Sequence, residues 1–192
     1  KPRLFIYFST DEVFGQGVGK YKFKEWDRFN PTSPYAATKA GGEDLCLAYY
    51  HTYNVPLIIT HCMNIFGENQ HPEKFIPKAI KLIKNNKIVP IYSDKQGKKS
   101  GSRFYIHVDD VSRAIEFIIK KGKIGEKYNI EGAKEITNYN MAKFIADVLH
   151  KPLKYKLVSR NKLRPGNDFR YGIDGSKLFK MGWKPVESFW KK

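Results

Sequence analysis

The sequence predicts an α/β fold built on a largely parallel sheet. Three observations carry this expectation. Segments that read as strands recur at 4–9, 55–65, 87–93, 103–108, 125–130 and 151–158, the first two apolar enough to be buried. Segments with helical spacing stand between them, at 34–53, 72–86, 109–122, 137–150 and 175–183. The two kinds alternate, as parallel strands joined by crossover helices must, and no internal repeat or low-complexity linker interrupts the pattern.

Taken in order, "LFIYFS" (4–9) reads as a buried strand, followed by a Gly- and Lys-rich loop (15–30). In "NPTSPYAATKAGGEDL" (30–45), Asn30, Thr32 and Ser33 are turn and cap residues and Pro34 suits a first helical position, so a helix is expected from Pro34 to about Tyr53. "VPLIITHCMNI" (55–65) reads as a second buried strand. In "PEKFIPKAIKLIKNN" (72–86), Phe75, Ile76, Ala79, Ile80 and Ile83 fall on one helical face. "KIVPIYS" (87–93) and "RFYIHV" (103–108) are strands; "DDVSRAIEFIIKKG" (109–122) is a helix with Asp at its start, Lys at its end and Gly after it. "GEKYNI" (125–130) and "KPLKYKLV" (151–158) are strands on either side of the amphipathic "TNYNMAKFIADVLH" (137–150), and "GSKLFKMGW" (175–183) is a short helix.

With 192 residues and 41% hydrophobic content, the chain can build one large domain or a domain and a half. Aromatics at 15% argue against disorder. No apolar run approaches the ~20 residues of a membrane span, and "KPRLFIYFSTDEVFG" does not read as a signal peptide. The two cysteines, Cys46 and Cys62, lie inside apolar segments, which argues against a disulfide framework or a metal site and for a reducing, cytoplasmic setting. The net charge of +16 raises nucleic-acid binding, but the lysines are spread along the chain and do not interleave with aromatics. The charge is read as solvated surface, with a smaller part available to an anionic ligand.

Tyr35 and Lys39 stand four apart, on one face of their helix. A phenol titrates near pH 10 in water, and an ammonium one turn away would lower that value toward a usable base. Tyr-x-x-x-Lys also arises by chance, so its context matters. Upstream, Ser9, Thr10, Asp11 and Glu12 stand at the carboxyl end of a strand, where ligands bind in open α/β sheets. Two adjacent carboxylates there can cap a loop, or supply a paired acid and base for elimination. "GQGVGK" (15–20) is neither a dinucleotide fingerprint, which needs Gly where Lys20 stands, nor a P-loop, because Phe14 and Tyr21 occupy its flanking positions.

The motifs "STDEVFG", "SPYAATKAGGEDL", "NIFGENQHPEKFIPKAI", "VPIY", "SRFYIHVDDVSRAI", "GEKYNI" and "LRPGNDFRYGID" follow in this order. Together they resemble the extended short-chain dehydrogenase/reductase family and, within it, the nucleotide-sugar 4,6-dehydratases. The resemblance covers nearly the whole chain. It implies the C-terminal part of a doubly wound, Rossmann-type parallel sheet plus a smaller α/β substrate-binding domain. Residues 1–62 would be the C-terminal portion of the NAD-binding domain, carrying the catalytic residues. Residues 63–192 would be mainly the nucleotide-sugar-binding domain, with 103–122 returning to the main sheet.

The reaction implied is NAD-dependent oxidation at C4 of a dTDP- or UDP-linked glucose, loss of water across C5 and C6, and return of the hydride to C6, as in rhamnose-type deoxysugar biosynthesis. By the resemblance, Tyr35 is the base at the C4 hydroxyl, Lys39 lowers its pKa and holds the nicotinamide ribose, and Thr10 bonds the sugar near C4. Asp11 protonates the departing C6 hydroxyl and Glu12 takes the C5 proton. Ser9, Cys62 and Asn64 join Tyr35 and Lys39 beside the cofactor, Cys62 being equally well read as a small core residue. Asn64, Lys74, Phe75, Pro90, Tyr92, Arg103, Asn138, Arg164 and Tyr171 match substrate contacts, the arginines through bidentate pairing with phosphate.

A homodimer through the Tyr35 helix and its neighbour is implied too. Departures from the family pattern are Phe14, Phe66, Glu68, Phe104 and Asn167. The family opens with G-x-x-G-x-x-G at a helix N-terminus, the seat of the NAD pyrophosphate. This chain lacks it, so a missing N-terminal NAD-binding segment, in a longer protein or a partner chain, is expected. The chain also stops short of the family's final helix. Two alternatives stand beside this reading: a 4-epimerase or reductase of the same family, against which Asp11 and Glu12 speak, and a non-catalytic module binding nucleotide sugars or nucleic acid.

Overall fold

The computed structural model describes residues 2–94, 96–159 and 168–186. Strand β1 (Phe5–Thr10) runs into a single 3₁₀ turn, Asp11–Phe14. Helix α1 (Pro34–Tyr53) begins where the cap residues predict: the Ser33 side chain accepts from the Ala36 N–H at 3.1 Å, and Asn54 ends the helix in the left-handed region. Strand β2 (Leu57–Cys62), buried at every residue, lies parallel to β1 with Phe5 opposite Leu57 and Thr10 opposite Cys62. β6 (Lys127–Ile130) continues this sheet on the far side of β2, also parallel. A fully buried parallel strand reads as a continuous apolar run, as β2 does; β1, expected to be buried too, is the edge strand of this sheet among the described residues and leaves Phe5 and Phe8 exposed.

A second sheet combines β3 (Asn64–Phe66), β5 (Ser102–His107) and β7 (Glu135–Thr137), with β3 and β5 parallel and β7 antiparallel to β5. A third pairs β4 (Val89–Ser93) with β8 (Tyr155–Ser159) in parallel. Helices α2 (Phe75–Lys84), α3 (Val108–Lys121), α4 (Asn138–Val148) and α5 (Ser176–Met181) complete the described elements. α3 carries Asp109 and Asp110 in its first turn and Lys120 and Lys121 in its last, matching the helix dipole at both ends.

Three details differ from the sequence expectation. The run 55–65 is two strands: the chain leaves the first sheet at buried Met63 and enters the second. The strand within 103–122 pairs with β3 and β7, not with β1 and β2; what reaches the first sheet is its Ile106 and the following helix, whose Val111, Ala114 and Ile118 share a core with Ile58, Tyr128 and Ile130. β6 and the Leu178–Trp183 region, late in the chain, belong to that same core. The three-residue strand β7 is too short to leave a periodic signal in the sequence.

A second core joins α2 and α4 to β4 and β5 through residues such as Ala79, Ile83, Ile91, Met141 and Ile145. A third, small cluster of Val13, Phe14, Ala40, Met63, Phe104 and Ile173 backs the 3₁₀ turn. Phe14 stacks on Phe23 (5.3 Å between centroids) and meets His61 edge-on (4.9 Å). Gly15 ends the turn at φ 74°, and a Cβ there would lie 2.3 Å from the Asn30 carbonyl oxygen. Glycine is therefore required where the chain leaves the turn.

Candidate active site

The turn after β1, the start of α1, the β2–β3 junction, α2, β4 and β5 converge on one cleft of about 520 Å³. Ser9, Thr10, Asp11, Glu12, Tyr35, Cys62 and Asn64 line it from the side of the first sheet; Lys74, Phe75, Pro90, Tyr92, Arg103, Asn138 and Tyr171 line it from the rest of the chain. Fourteen of the sixteen residues expected from the sequence therefore meet at one place. The other two are Lys39, described below, and Arg164, which lies outside the described residues.

Thr10 organises the acidic end. Its hydroxyl accepts from the Glu12 N–H at 3.3 Å, capping the 3₁₀ turn, and donates to Asp11 Oδ1 at 3.2 Å. Asp11 is only 5% exposed, and its Oδ2 is buried without a hydrogen-bond partner. Burial, and then the neighbouring Glu12, push the Asp11 carboxyl up to about 7, while Arg103 and the Thr10 hydrogen bond pull the other way. A carboxyl that keeps its proton to neutral pH, with an unpaired oxygen, is a proton donor in waiting.

Tyr35 is about half exposed at the cleft mouth. Burial first, then Glu12, hold its phenol above the ordinary value, and a hydrogen bond with Thr10 opposes them. The expected lowering by Lys39 is not what this geometry gives. The Lys39 ammonium donates to the Phe8 carbonyl and lies 4.5 Å from the centre of the Tyr7 ring. Burial, and then Asp11, raise the Cys62 thiol to about 12, so it is a neutral, inert wall residue.

On the opposite side, Pro90 and Tyr92 alternate on β4 and so share a face. Lys74 precedes the first residue of α2. Arg103 is buried, its guanidinium donating to the carbonyls of Ser102, Phe169 (2.9 Å) and Asp168 (2.8 Å) and stacking 4.6 Å over the Tyr171 ring. Three of its five N–H groups are thus committed to the main chain. Asn138 accepts from the Tyr105 hydroxyl at 2.9 Å. Burial and then Glu12 raise the Tyr171 phenol, whose oxygen accepts from the Asp168 N–H at 3.1 Å.

The cleft also takes in Met63, Gln70, His71, Glu73, Lys78 and Tyr105, which sequence reasoning did not name. Lys78 follows Lys74 by one helical turn, a spacing that could have disclosed it. Gln70 donates to the Ile65 carbonyl at 2.7 Å and keeps a buried Oε1 without a partner. Among the described residues, no three His, Cys, Asp or Glu side chains are grouped to hold a metal ion, and no helix is long and apolar enough to cross a membrane.

The family model described as GDP-mannose 4,6 dehydratase matches residues 1–191. A dTDP-D-glucose 4,6-dehydratase of Dictyostelium discoideum is 35% identical over 96% of this chain and 51% of its own length. A trifunctional UDP-glucose 4,6-dehydratase, 3,5-epimerase and reductase of Arabidopsis thaliana is 40% identical over 94% of this chain and 27% of its own. The crystal structure of a dTDP-glucose 4,6-dehydratase from Streptomyces venezuelae, with NAD and TYD bound, superposes with a TM-score of 0.86 at 34% identity, covering 97% of this chain and 56% of that one. The chain thus spans about half, or less, of the relatives it matches.

Proposed function

The chain belongs to the GDP-mannose 4,6 dehydratase family, and we propose that it carries the catalytic residues and nucleotide-sugar site of an NAD-dependent 4,6-dehydratase acting on dTDP-glucose or UDP-glucose. The observation that carries this reading is Asp11: a buried carboxyl held protonated to about pH 7, with one unpaired oxygen, beside Glu12 and Tyr35 in a cleft. A 4-epimerase or reductase moves a hydride at C4 and eliminates no water, so Asp11 and Glu12 speak against that alternative.

Bound NAD would supply a reversible hydride acceptor, refilled and emptied within one turnover. The residues present fit its nicotinamide end. Ser9, Tyr35 and Asn64 offer polar groups in the cleft, and Cys62, a neutral thiol, closes the wall without reacting. Tyr35 takes the proton of the C4 hydroxyl as C4 becomes a ketone. That ketone acidifies the C5 hydrogen, which Glu12 removes. Asp11 gives its proton to the C6 hydroxyl, which leaves as water, and the C5–C6 double bond forms. When the hydride reaches C6, a proton adds at C5 and the 4-keto-6-deoxy sugar nucleotide is complete. Activation of Tyr35 requires the Lys39 ammonium to leave the Phe8 carbonyl for the phenol.

For the substrate, Tyr92 beside Pro90 gives a face on which a pyrimidine stacks, and Lys74, Arg103 and Arg164 supply cations for the diphosphate. A 4-keto-6-deoxy product suits deoxysugar biosynthesis of the rhamnose type, a reading supported by the likeness to the Arabidopsis protein whose name includes a UDP-4-keto-L-rhamnose reductase. Leu45, Tyr49 and Tyr53 form an exposed apolar stripe along α1, each half exposed or more, and this is the surface we assign to a homodimer. Cys46 and Cys62 are both free thiols, in keeping with the cytoplasm.

The test uses the full-length protein with Asp11→Asn and Glu12→Gln combined. C4 oxidation should persist in part while water loss stops. Formation of the 4-keto-6-deoxy product at the normal rate would overturn the assignment.

A further inference from the structure

Behind Ser9 of the cleft lies a polar cluster whose other members the proposed chemistry does not use. Ser9 of β1 reaches down to Glu43 of α1; His61 of β2 and Lys127 and Asn129 of β6 complete the group. Glu43, His61 and Asn129 are fully buried, and Lys127 nearly so. Lys127 Nζ is enclosed by the rings of Trp26 and Phe29, 4.7 and 4.5 Å from their centres.

The hydrogen positions in this cluster follow from its distances. Asn129 Nδ2 donates to the carbonyls of Phe23 (2.9 Å) and Asp174 (3.1 Å), which leaves its Oδ1 as an acceptor. His61 Nδ1, 2.8 Å from that oxygen, therefore carries a hydrogen. His61 Nε2 lies 3.1 Å from both carboxyl oxygens of Glu43. Bare lone pairs do not face each other at that distance, so one proton lies on this contact, whichever partner holds it. Lys127 donates to Glu43 Oε2 at 2.9 Å. Glu43 then has no hydrogen to offer Ser9, and the Ser9 hydroxyl must donate to Glu43 Oε1. A hydroxyl has one hydrogen, so Ser9 turns only lone pairs to the cleft.

We propose that Glu43, held by His61 and Lys127, is a positioning residue that makes Ser9 a dedicated acceptor in the cleft, so that the ligand group seated there is an N–H or O–H donor. The inference rests on the reading above only for the owner of that donor: a hydroxyl of the sugar nucleotide, or the carboxamide of the cofactor. Glu43 follows Tyr35 by eight residues and Lys39 by four, so one helix face sets both the reactive phenol and the polarity of Ser9. An acceptor left without its donor penalises a ligand lacking the N–H or O–H, which is how a buried polar group discriminates.

Two probe pairs, measured as dissociation constants on the full-length protein, separate the sources. NAD is compared with its 3-acetylpyridine analogue, which lacks the carboxamide N–H. The sugar nucleotide is compared with its deoxyfluoro analogues, which accept but do not donate. In one pair the donor-less member should bind about tenfold more weakly, and Ser9→Ala should bring the ratio close to one. Glu43→Gln should do the same, because its amide donates to Ser9 and releases the serine hydrogen toward the cleft. Adding Lys127→Met removes the unpaired buried cation if the single variant fails to fold. A ratio that survives Ser9→Ala, or no preference in either pair, overturns the proposal. Nitrogen-15 NMR of His61 in the free protein tests the polarity without any ligand: a proton on the contact between its Nε2 and Glu43 is expected, and an Nε2 with no proton on that contact, which leaves Glu43 free to donate to Ser9, overturns it. If neither NAD nor a nucleotide sugar binds, the functional reading falls while the His61 signal still reports on Ser9.

Discussion

The Lys39 ammonium donates to the main-chain carbonyl of Phe8, on the strand that α1 packs against. Four residues earlier on the same helix face, Tyr35 faces the cleft with its phenol held above its ordinary value by burial and by Glu12. The two residues that the motif pairs are thus poised but not yet engaged. Lys39→Met should lower turnover by about 10²–10⁴-fold, the usual worth of general-base assistance, and the loss should shrink as pH rises toward the phenol's own range. A pH–rate profile checks this; an unchanged profile would remove Lys39 from the activation of Tyr35.

Asp11 gives a stability prediction with a definite sign. Its folded value, about 7, lies above the 3.8 of a free aspartate. The native state therefore binds the proton more tightly than the unfolded chain, and stability falls as pH rises from about 4 to about 7, by roughly 1.4 kcal/mol per unit at most. Asp11→Asn, neutral at all pH, should raise the melting temperature above that of the wild type at pH 8, with little difference at pH 4, while abolishing dehydration. Equal shifts at both pH values would contradict the burial of this carboxyl.

Phe14 is 1% exposed, between Phe23, Phe29 and His61. Phe14→Tyr would bury a hydroxyl among rings, at a cost of about 1–3 kcal/mol unless it found a partner. Urea unfolding should show a lower midpoint with an unchanged slope.

Gly15→Ala should be costlier to function than its size suggests. Its φ of 74° and the Asn30 oxygen 2.3 Å from a built Cβ force the turn to move, with about 1–3 kcal/mol of strain. Because Asp11 and Glu12 belong to that turn, turnover should fall along with the melting temperature.

Replacing Leu45 and Tyr49 together by Glu should leave the secondary structure intact and convert a dimer into monomers, read by sedimentation. Continued dimerisation would move the interface off α1.

Much of this was legible in the sequence, for identifiable reasons. β2 announced itself because every residue is buried, and α1 because Ser33 and Pro34 mark its start. The acidic turn and Tyr35 were visible as residue types at a strand end and a helix start. What could not be read was connectivity across the chain. The break at Met63 sits inside an unbroken apolar run, and nothing local tells β5 to pair with β3 and not β1. The cluster of Glu43, His61, Lys127 and Asn129 was invisible because its members are up to 86 residues apart (129 − 43). The engagement of Lys39 with Phe8 was equally hidden, since spacing gives a helix face and not a rotamer.

The central claim is dehydration through Glu12 and Asp11, and heavy water tests it most directly. The full-length protein, supplied with NAD and with dTDP-glucose or UDP-glucose, should yield a product lighter by one water and carrying deuterium at C5, where the solvent-exchanged proton returns. A product that retains its water, as a C4 epimer would, or one with no deuterium at C5, would contradict the account.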